Sequence, residues 1–340
     1  VMPATIQDVA KASGVSVGTV SRALNNYPDV SAKTRAKVLE AVRELGYSPN
    51  LMAKNLSSKH IQNIAVILSG FLEEKMFNGF ETILMRGAYE YAEEHGLEVS
   101  LYVINGKIQM EKSYEQMCYE HNLAGAILLG LKTTDPYCET LGASRYPCVT
   151  IDLEVAGDNV TSVTIDHIAA FKELTQYLID CGHRKIVLVN GRKNAMVTLE
   201  RLAGAYEAME KNGLTLTNDD IIYTNFLREE AYDGVLRYFS EHSPDSATAF
   251  LCMSDMLAIG TMQAIRHLGR RVPQDYSIVG YDGLELTEYT DPPLTTVDQN
   301  IFEKGYKAAQ VLHSRIRGER VPNRVVLPHT LAIRGSVRNI

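Results

Sequence analysis

Several features that mark other classes of protein are missing from this chain of 340 residues. No apolar run is long enough to span a bilayer, and the first residues lack the charged and then apolar pattern of a signal peptide. We therefore expect neither a membrane segment nor export.

The cysteines are few and form no close pairs, which predicts reduced core thiols in a cytoplasmic protein. They stand at positions 118, 138, 148, 181 and 252.

The common motifs of enzymes are missing as well. The sequence contains no glycine-rich phosphate loop of either standard spacing and no Gly-x-Ser-x-Gly turn. No two of its nine histidines have the helical spacing of metal ligands. These absences predict a protein that is not an enzyme and that holds neither a cofactor nor a metal.

The first twenty-five residues instead have the spacing of a helix-turn-helix. Thr5 can cap a first helix, with Asp8 in its positively polarised first turn. Gly14 stands where that helix ends, a position that favours a left-handed conformation. Ser16 then caps a second helix. The alternative is an ordinary helical hairpin in a larger helical domain.

The second helix has an apolar side and an outer side. Val15, Val20 and Leu24 form the apolar core, and the outer side suits the DNA major groove. On it we expect Arg22 to pair with guanine, Val17 to meet a thymine methyl group, and Gly18 to allow close approach. The predicted phosphate and positioning contacts are Thr5, Ser16, Thr19, Ser21, Asn25 and Asn50.

A third helix is predicted from Ser31 to about Leu45, ended by Gly46. The polar segment after Pro49 is too short to be a stable helix by itself, so we expect it to become helical only when it has a partner.

The net charge of the chain also changes at this segment. The first sixty residues carry a net charge of +4 and the whole chain −7, which leaves −11 for the remainder. A basic head on an acidic body fits phosphate contact at one end only.

From residue 61 onward, short β runs alternate with helical stretches, which predicts parallel sheets covered by helices on both faces. The expected fold is a small all-α head and an α/β core of two doubly wound subdomains. The predicted strands are Ile64–Leu68, Val99–Ile104, Ala126–Leu129, Val149–Ile151, Val160–Ile165, Ile186–Val189, Ala249–Met253 and Ile278–Tyr281, with further signals at Leu294–Gln299 and Val325–Leu331. The predicted limits are 1–47 for the head, 48–60 for a hinge, 61–163 with 300–326 for the first subdomain, and 164–299 with 327–340 for the second.

Carboxylates end several of these strands, where ligands of open α/β sheets bind. Asp152, Asp255 and Asp282 each follow an apolar strand, and Arg201 opens a predicted helix. Such carboxylates beside an arginine can receive neighbouring sugar hydroxyls in paired hydrogen bonds. Each aspartate could instead be a helix N-cap, and we prefer that interpretation for Asp255. The residues predicted to line the opposite wall are Ser69, Phe71 and Phe77.

These motifs together make the chain similar to the lactose-repressor/galactose-repressor family of bacterial transcription regulators. The resemblance covers nearly the whole length. It is carried by the helix-turn-helix, the Pro49-Asn50 pair, the Gly280-Tyr281-Asp282 strand end, the crossover from Pro292 to Gln299, and the terminal Ile333-Arg334-Gly335-Ser336. It implies a periplasmic-binding-protein-like core and a hinge helix that forms on DNA. In that hinge Leu56 would enter the minor groove with Ala53 beside it, although Leu56 could also be a linker residue packed on the core.

The resemblance also implies the partners. A homodimer would bind a pseudo-palindromic double-stranded operator on the bacterial nucleoid and repress transcription, under control of a small-molecule effector, a sugar. The effector would be held by Arg201 and Asp282, together with Asp152, and Gln299 would be within reach. Ser254 stands where the family commonly has an asparagine. Two alternatives stay open: control by a phosphorylated carrier protein acting as corepressor, and a sugar-binding transport-type protein. The class of effector also stays open between a sugar, a sugar phosphate and a purine.

Overall fold

The computed structural model describes residues 4–24, 27–47, 62–70 and 79–340. The chain forms two compact units, Val1–Ile61 and Gln62–Ile340, which we call the head and the core. The predicted contact residues Asn25, Asn50, Ala53, Leu56, Phe71 and Phe77 lie outside the described residues.

In its described residues the head contains three short helices, α1 (Ile6–Ser13), α2 (Val17–Leu24) and α3 (Ala32–Leu45). Local chemistry sets their ends. Thr5 and Asp8 form a reciprocal capping box at the start of α1, and Gly14 ends it at a φ of 68°. Ser31 caps α3, and Gly46 ends it in the same left-handed conformation.

The apolar sides of the three helices meet in one small cluster. Its buried members are Val9, Ala10, Val20, Ala23, Val38 and Ala41, and Val15 and Leu24 pack against them. This is the packing that the spacing of the sequence predicts for α1 and α2. Burial of these few side chains holds together helices that are each too short to be stable alone.

In the part of the core that the structure describes, the strands form two six-stranded sheets. In the first sheet all neighbouring strands are parallel, and their spatial order is β11-β5-β4-β3-β1-β2. These strands are β1 (Asn63–Ser69), β2 (Glu98–Ile104), β3 (Gly125–Leu129), β4 (Cys148–Ile151), β5 (Val160–Ile165) and β11 (Arg324–Leu327). The central strands are buried along their whole length, as parallel strands covered on both faces must be.

The second sheet has the order β12-β10-β9-β8-β6-β7, with one antiparallel edge pair, β10 and β12. Its strands are β6 (Ile186–Asn190), β7 (Ile221–Tyr223), β8 (Ala249–Cys252), β9 (Ser277–Asp282), β10 (Thr295–Asp298) and β12 (Thr330–Ala332). The prediction of a helical head followed along the chain by two parallel-sheet subdomains is confirmed. The residue limits predicted for the subdomains stay a prediction.

Helices connect the strands of both sheets. Those of the first half are α4 (Phe80–Glu94), α5 (Gly106–Glu111), α6 (Tyr114–Glu120), α7 (Pro136–Thr140) and α8 (His167–Asp180). Those of the second half are α9 (Met196–Lys211), α10 (Arg228–Glu241), α11 (Asp255–His267) and α12 (Ile301–Ile316). After β10 the chain crosses back to the first sheet. Helix α12 packs on α4 and on this sheet, and β11 then joins the sheet at its edge. None of the helices in the described ranges is long and apolar enough to cross a membrane.

Three predictions about the core need correction. The short strand β7 was not expected. The single strand signal at Val325–Leu331 is two strands that belong to different sheets. Pro328 stands between them, and proline cannot continue a ladder of hydrogen bonds. Finally, Arg201 does not open its helix, because α9 begins at Met196 and Arg201 lies in its second turn.

Candidate functional site

Helix α2 of the head exposes the side that the sequence predicts for DNA. Val17 is 42% exposed although it is a large apolar residue, and Gly18 beside it is also open to solvent. The hydroxyl of Ser16 accepts a hydrogen bond from the Thr19 amide at 3.1 Å, so Ser16 caps the helix as expected. The flank of α2 therefore offers an exposed surface that is partly apolar, on the side that the sequence predicts for DNA.

Arg22 projects from the same helix toward the turn that follows. Its guanidinium forms an ion pair with the carboxylate of Asp29 and lies 5.8 Å from the ring of Tyr27. Both partners of the ion pair are about half exposed. The sequence reasoning did not identify Asp29. Because the pair is exposed, a nucleic acid can replace the carboxylate at little cost.

The core has a cleft at the carboxyl ends of the strands of both sheets, the place where open α/β sheets bind ligands. Five of the predicted effector residues line it, namely Ser69, Asp152, Arg201, Ser254 and Asp282. Other lining residues were not predicted: Phe80, Glu81, Leu129, Gly130, Leu131, Lys132, Ile151, Arg192, Ala195, Met196, Val197 and Phe226. The cleft thus has a mixed wall of apolar and charged groups.

Arg201 is the most informative group in the cleft. Its side chain is only 4% exposed, and its guanidinium carbon lies 4.0 Å from the centre of the Tyr281 ring. One terminal nitrogen donates to the carbonyl of Met253. The buried Nε atom has no hydrogen-bond partner among the described residues. A buried donor without an acceptor is costly, so the position of Arg201 calls for a functional explanation.

Asp282 ends β9 beside that arginine. Its backbone has a φ of 129°, which is rare outside glycine. Burial raises the pKa of its carboxyl group well above the usual range, and the nearby Arg201 opposes that rise. The side-chain amide of Gln299 donates to Asp282 Oδ1 at 2.6 Å. Arg201 and Asp282 together offer both donors and acceptors to a ligand with hydroxyl groups.

Asp152 is already saturated by the protein. Lys304 Nζ donates to both of its carboxylate oxygens at 2.9 Å, and the Thr164 hydroxyl donates to Oδ1 at 2.9 Å. His167 Nε2 lies 3.1 Å from the same oxygen. Burial by itself would raise the pKa of Asp152, but Lys304 and His167 outweigh it, so the pKa is lowered. Asp152 is therefore a firmly held anion in the cleft wall.

Ser69 and Ser254 line the cleft but have structural partners. Ser69 donates to Asp135 Oδ2 at 3.0 Å and accepts from Gln109 at 3.0 Å. Ser254 caps α11 by accepting from the Leu257 amide at 3.2 Å. Both hydroxyls hold the loops at the strand ends in place.

The two walls of the cleft are joined at its mouth. The amide and the hydroxyl of Thr133 both donate to the carbonyl of Asn194, at 3.1 and 3.2 Å. The Asn194 side chain donates in turn to Thr134 at 3.4 Å. Loops that follow β3 and β6 therefore meet directly, and the cleft in this structure has a bridged mouth.

Comparisons with known proteins agree with this geometry. The profile for bacterial regulatory proteins of the lacI family matches residues 5–50, and that for the periplasmic binding protein-like domain matches residues 175–337. The chain is 32% identical to the HTH-type transcriptional regulator CelR of Thermobifida fusca, with 98% of each chain covered. It is also 32% identical to the HTH-type transcriptional repressor PurR of Vibrio vulnificus, with 99% of each covered. The chain belongs to the lacI family of bacterial regulatory proteins.

Solved structures place the whole regulator in the same family. It matches the lac repressor dimer bound to operator and the anti-inducer ONPF with a TM-score of 0.83 at 26% identity, over 99% of this chain and all of that one. It matches the CelR–cellobiose complex with a TM-score of 0.73 at 30% identity, over 98% and 99%. The regulator is therefore a helix-turn-helix DNA-binding protein whose core has the fold of an effector-binding domain.

The structure of the regulator also corrects one interpretation. Asp255 is not a helix N-cap, since Ser254 takes that position. Asp255 is fully buried, and its carboxylate accepts from the Leu284 amide at 2.8 Å and from the Thr296 hydroxyl at 2.5 Å. Burial raises its pKa to about 6. It therefore holds the turn after β9, next to the cleft.

Gln299 was expected within reach of the effector. It is fully buried and does not line the cleft. Its amide donates to Asp282, and its carbonyl accepts from Lys304 at 2.9 Å. Sequence reasoning missed Lys304, although a signal was available. Lys304 lies three residues after Ile301 and four before Ala308, on the buried side of α12.

Phe226 is the other important residue that sequence reasoning missed. Its backbone has a φ of 66°, and its ring packs on Gly191, where a Cβ atom would come within 2.0 Å of the ring. No local pattern in the sequence predicts this contact, because Gly191 and Phe226 come from different loops.

Among the described residues, no group of three histidine, cysteine, aspartate or glutamate side chains could hold a metal ion.

Proposed function

We propose that this regulator represses transcription as a homodimer on a pseudo-palindromic operator, and that a sugar bound in the core cleft controls its operator affinity. The observation that carries the proposal is Arg201, a buried guanidinium with an unfilled donor beside Asp282 at the carboxyl ends of the strands. Effector and operator affinity are then coupled, and the coupling is reciprocal whatever its sign.

The proposed DNA contacts follow the exposed side of α2. Arg22 pairs with a guanine, Val17 meets a thymine methyl group, and Gly18 lets the helix approach the bases. The phosphate contacts proposed are Thr5, Ser16, Thr19, Ser21, Asn25 and Asn50, and the hinge contacts are Ala53 and Leu56. A two-fold pair of such short helices reads enough base pairs for specificity, which favours the dimer.

Three observations favour a sugar as the effector. Arg201 and Asp282 offer the donor and acceptor pair that neighbouring hydroxyl groups require. Phe226 adds an aromatic face in the same cleft. Among the similar solved structures, CelR is in complex with cellobiose, the lac repressor is bound to ONPG, and a regulator from Enterococcus faecium holds ribose. Asp152 then supports the cleft wall, because Lys304 occupies both of its oxygens.

We further propose that the bound sugar is released unchanged and that the protein acts in the cytoplasm, on the nucleoid when bound to DNA. The two serines that line the cleft have structural partners, since Ser69 bonds to Asp135 and Gln109 and Ser254 caps α11. Mass spectrometry of each sugar after prolonged incubation with the protein tests this point, and a chemically altered sugar would contradict it.

The effector experiment is thermal unfolding of the full chain against a panel of compounds. The panel comprises glucose, ribose, cellobiose, lactose, glucose 6-phosphate, hypoxanthine and guanine. A ligand at about 100 times its dissociation constant stabilises the native state by about 2.7 kcal/mol, which is readily measured. We expect a sugar to raise the melting temperature of the wild type.

The matched variants are Arg201→Met and Arg266→Met. Arg266 is an arginine on α11 whose side chain is 75% exposed, away from the cleft residues. We expect Arg201→Met to lose the response to the sugar and Arg266→Met to keep it. An Arg201→Met variant that responds like the wild type would place the effector elsewhere. Silence of the wild type across the panel would favour a protein corepressor over a sugar.

A further inference from the structure

Lys304 is a lysine enclosed completely by the protein, with no exposed side-chain surface. An ammonium group has three donors, and here each has a bond of 2.9 Å. Two go to the carboxylate oxygens of Asp152, and the third goes to the carbonyl of Gln299. A buried charge is tolerated only when it is paired and hydrogen-bonded in this way.

The contacts of Lys304 continue in both directions. On one side, Gln299 donates to Asp282 at 2.6 Å. On the other, Asp152 Oδ1 lies 3.1 Å from His167 Nε2, and His167 Nδ1 lies 2.9 Å from the Tyr281 hydroxyl. Tyr281 and Asp282 are neighbours in β9, so the chain of contacts closes. We call these six residues the buried ring: Asp152, His167, Tyr281, Asp282, Gln299 and Lys304.

The buried ring passes through both sheets of the core. Asp152 follows β4 of the first sheet, and Lys304 lies in α12, which packs on that sheet. Tyr281 and Asp282 belong to β9 of the second sheet, and His167 begins α8, which contacts β10 and β12. Two members of the ring, Asp152 and Asp282, also line the cleft, one on each wall. A ligand that touches these walls therefore touches the ring.

Lys304 provides the positive charge of the buried ring. Desolvation lowers the pKa of His167 to about 4, although Asp152 opposes that change. A neutral imidazole at this position can accept at Nδ1 from the Tyr281 hydroxyl, while its Nε2 lies 3.1 Å from Asp152 Oδ1. The anion of Asp152 thus depends on Lys304 for its counter-charge, and the orientation of Asp282 depends on Lys304 through Gln299.

We propose that Lys304 is a positioning residue of the effector site, which fixes Asp152 directly and Asp282 through Gln299 and thereby sets the affinity for the effector. Lys304 does not line the cleft itself. The proposal rests on the proposed function, since it takes the cleft as the effector site. It adds that effector affinity is determined partly behind the cleft wall.

The first test is a titration of His167 by NMR in full-length protein labelled with ¹⁵N-histidine. The variant is Lys304→Met, which keeps the length of the side chain and removes its charge. The control is Lys307→Met, a lysine one turn further along α12 that bonds to Gln310. A His167→Gln variant identifies the signal. We expect Lys304→Met to raise the pKa of His167, because the positive charge of Lys304 is one of the charges that lower it. We expect Lys307→Met to leave it unchanged.

The second test separates positioning from stability. Lys304→Met by itself leaves Asp152 buried without its cation and is expected to lower the melting temperature. The double variant Lys304→Met/Asp152→Asn removes both charges of the pair, and we expect it to recover most of that loss. The sugar panel is then repeated on the double variant. We expect the sugar concentration that gives the half-maximal thermal shift to rise at least tenfold over the wild type.

Each outcome decides between the two roles of Lys304. A half-maximal concentration equal to that of the wild type, in a folded double variant, would make Lys304 a purely structural residue and overturn the proposal. An unchanged His167 titration in Lys304→Met would overturn it as well, with or without a sugar. A wild type that is silent across the panel would remove the proposed sugar class, and the His167 titration would still decide on Lys304.

Discussion

The head and the core each contain an ion pair at their functional surface, and the two pairs differ in exposure. Arg22 and Asp29 of the head have 57% and 47% of their side chains exposed. Lys304 and Asp152 of the core have 0% and 9% exposed. In water the attraction between two such charges is weak and easily replaced, whereas in the interior a charge that loses its partner is strongly unfavourable.

This difference matches the proposed work of the two surfaces, in which Arg22 contacts DNA and the Asp152 wall holds the effector. The head has to exchange solvent and internal partners for DNA, so a loosely held arginine is useful there. The cleft has to present the same geometry to each effector molecule, so a carboxylate that is held by three neighbours is useful there. The same pair of chemical groups is thus an exchangeable contact in one region and a fixed support in the other.

The largest effect is expected when the aspartate of each ion pair is removed in turn. Asp152→Ala leaves Lys304 buried without a counter-charge, and we expect the core to lose about 3–5 kcal/mol of unfolding free energy. Asp29→Ala removes an exposed partner, and we expect a change within about 0.5 kcal/mol. Urea unfolding followed by circular dichroism measures both. Similar losses from the two variants would contradict the difference between the pairs.

The next effect is a pH dependence of stability that comes from His167, which lies beside the buried pair. The pKa of His167 is lowered to about 4 in the folded protein and is about 6.5 in the unfolded chain. Between these values the unfolded chain binds more protons, so His167 makes the fold less stable as the pH falls from about 6.5 to 4. We expect wild type to lose on the order of 3 kcal/mol more over this range than His167→Gln does.

A matched control isolates that pH dependence. His121→Gln replaces an exposed histidine and should follow the wild type. Asp282 and Asp255, whose pKa values are raised by burial, act in the opposite direction, but they are present in all three proteins. Urea unfolding at pH 7, 6, 5 and 4.5 gives the comparison. Parallel curves for wild type and His167→Gln would show that the imidazole is not held neutral.

The smallest of the three effects concerns the exposed pair on DNA. We expect Arg22→Met to lose about 1–3 kcal/mol of discrimination at one guanine of each half-site. We expect Asp29→Asn to bind DNA of any sequence a few-fold more tightly, because a negative charge close to Arg22 is removed. Fluorescence anisotropy with labelled duplexes measures both, and Asp219→Asn in the core is the control for net charge. Weaker binding by Asp29→Asn would indicate that Asp29 orients Arg22 for DNA.

The head could be predicted from sequence almost residue by residue, because its determinants are local. The capping box of Thr5 and Asp8, the left-handed Gly14 and the cap at Ser31 act within a few residues of where they stand. Each strand and helix of the core is also indicated by a pattern within a short segment, which is why the two sheets could be predicted. The short strand β7 could not, because three residues are too few for a periodic signal.

The support behind the cleft could be predicted only in part. The strand-end residues Asp152 and Asp282 were identified because parallel strands bring their carboxyl ends together. The partners of these residues come from distant segments, since Lys304 and Asp152 are 152 residues apart in the chain. A lysine is normally a solvated residue, and only its place on the apolar side of α12 indicated burial. Gln299 was expected to reach the effector, but it is fully buried behind the cleft, where it bonds to Asp282 and Lys304 through contacts that a sequence does not reveal.

The most direct test of the account joins the two regions in one measurement. Binding sites for the full-length wild type are selected from a random duplex library, and the dissociation constant of the selected site is measured with and without each compound of the panel. We predict a pseudo-palindromic site and a sugar that changes its dissociation constant by about 5–150-fold in the wild type. In Arg201→Met the same sugar should have no effect. A selected site without two-fold symmetry, or an equal response of both proteins, would contradict the account.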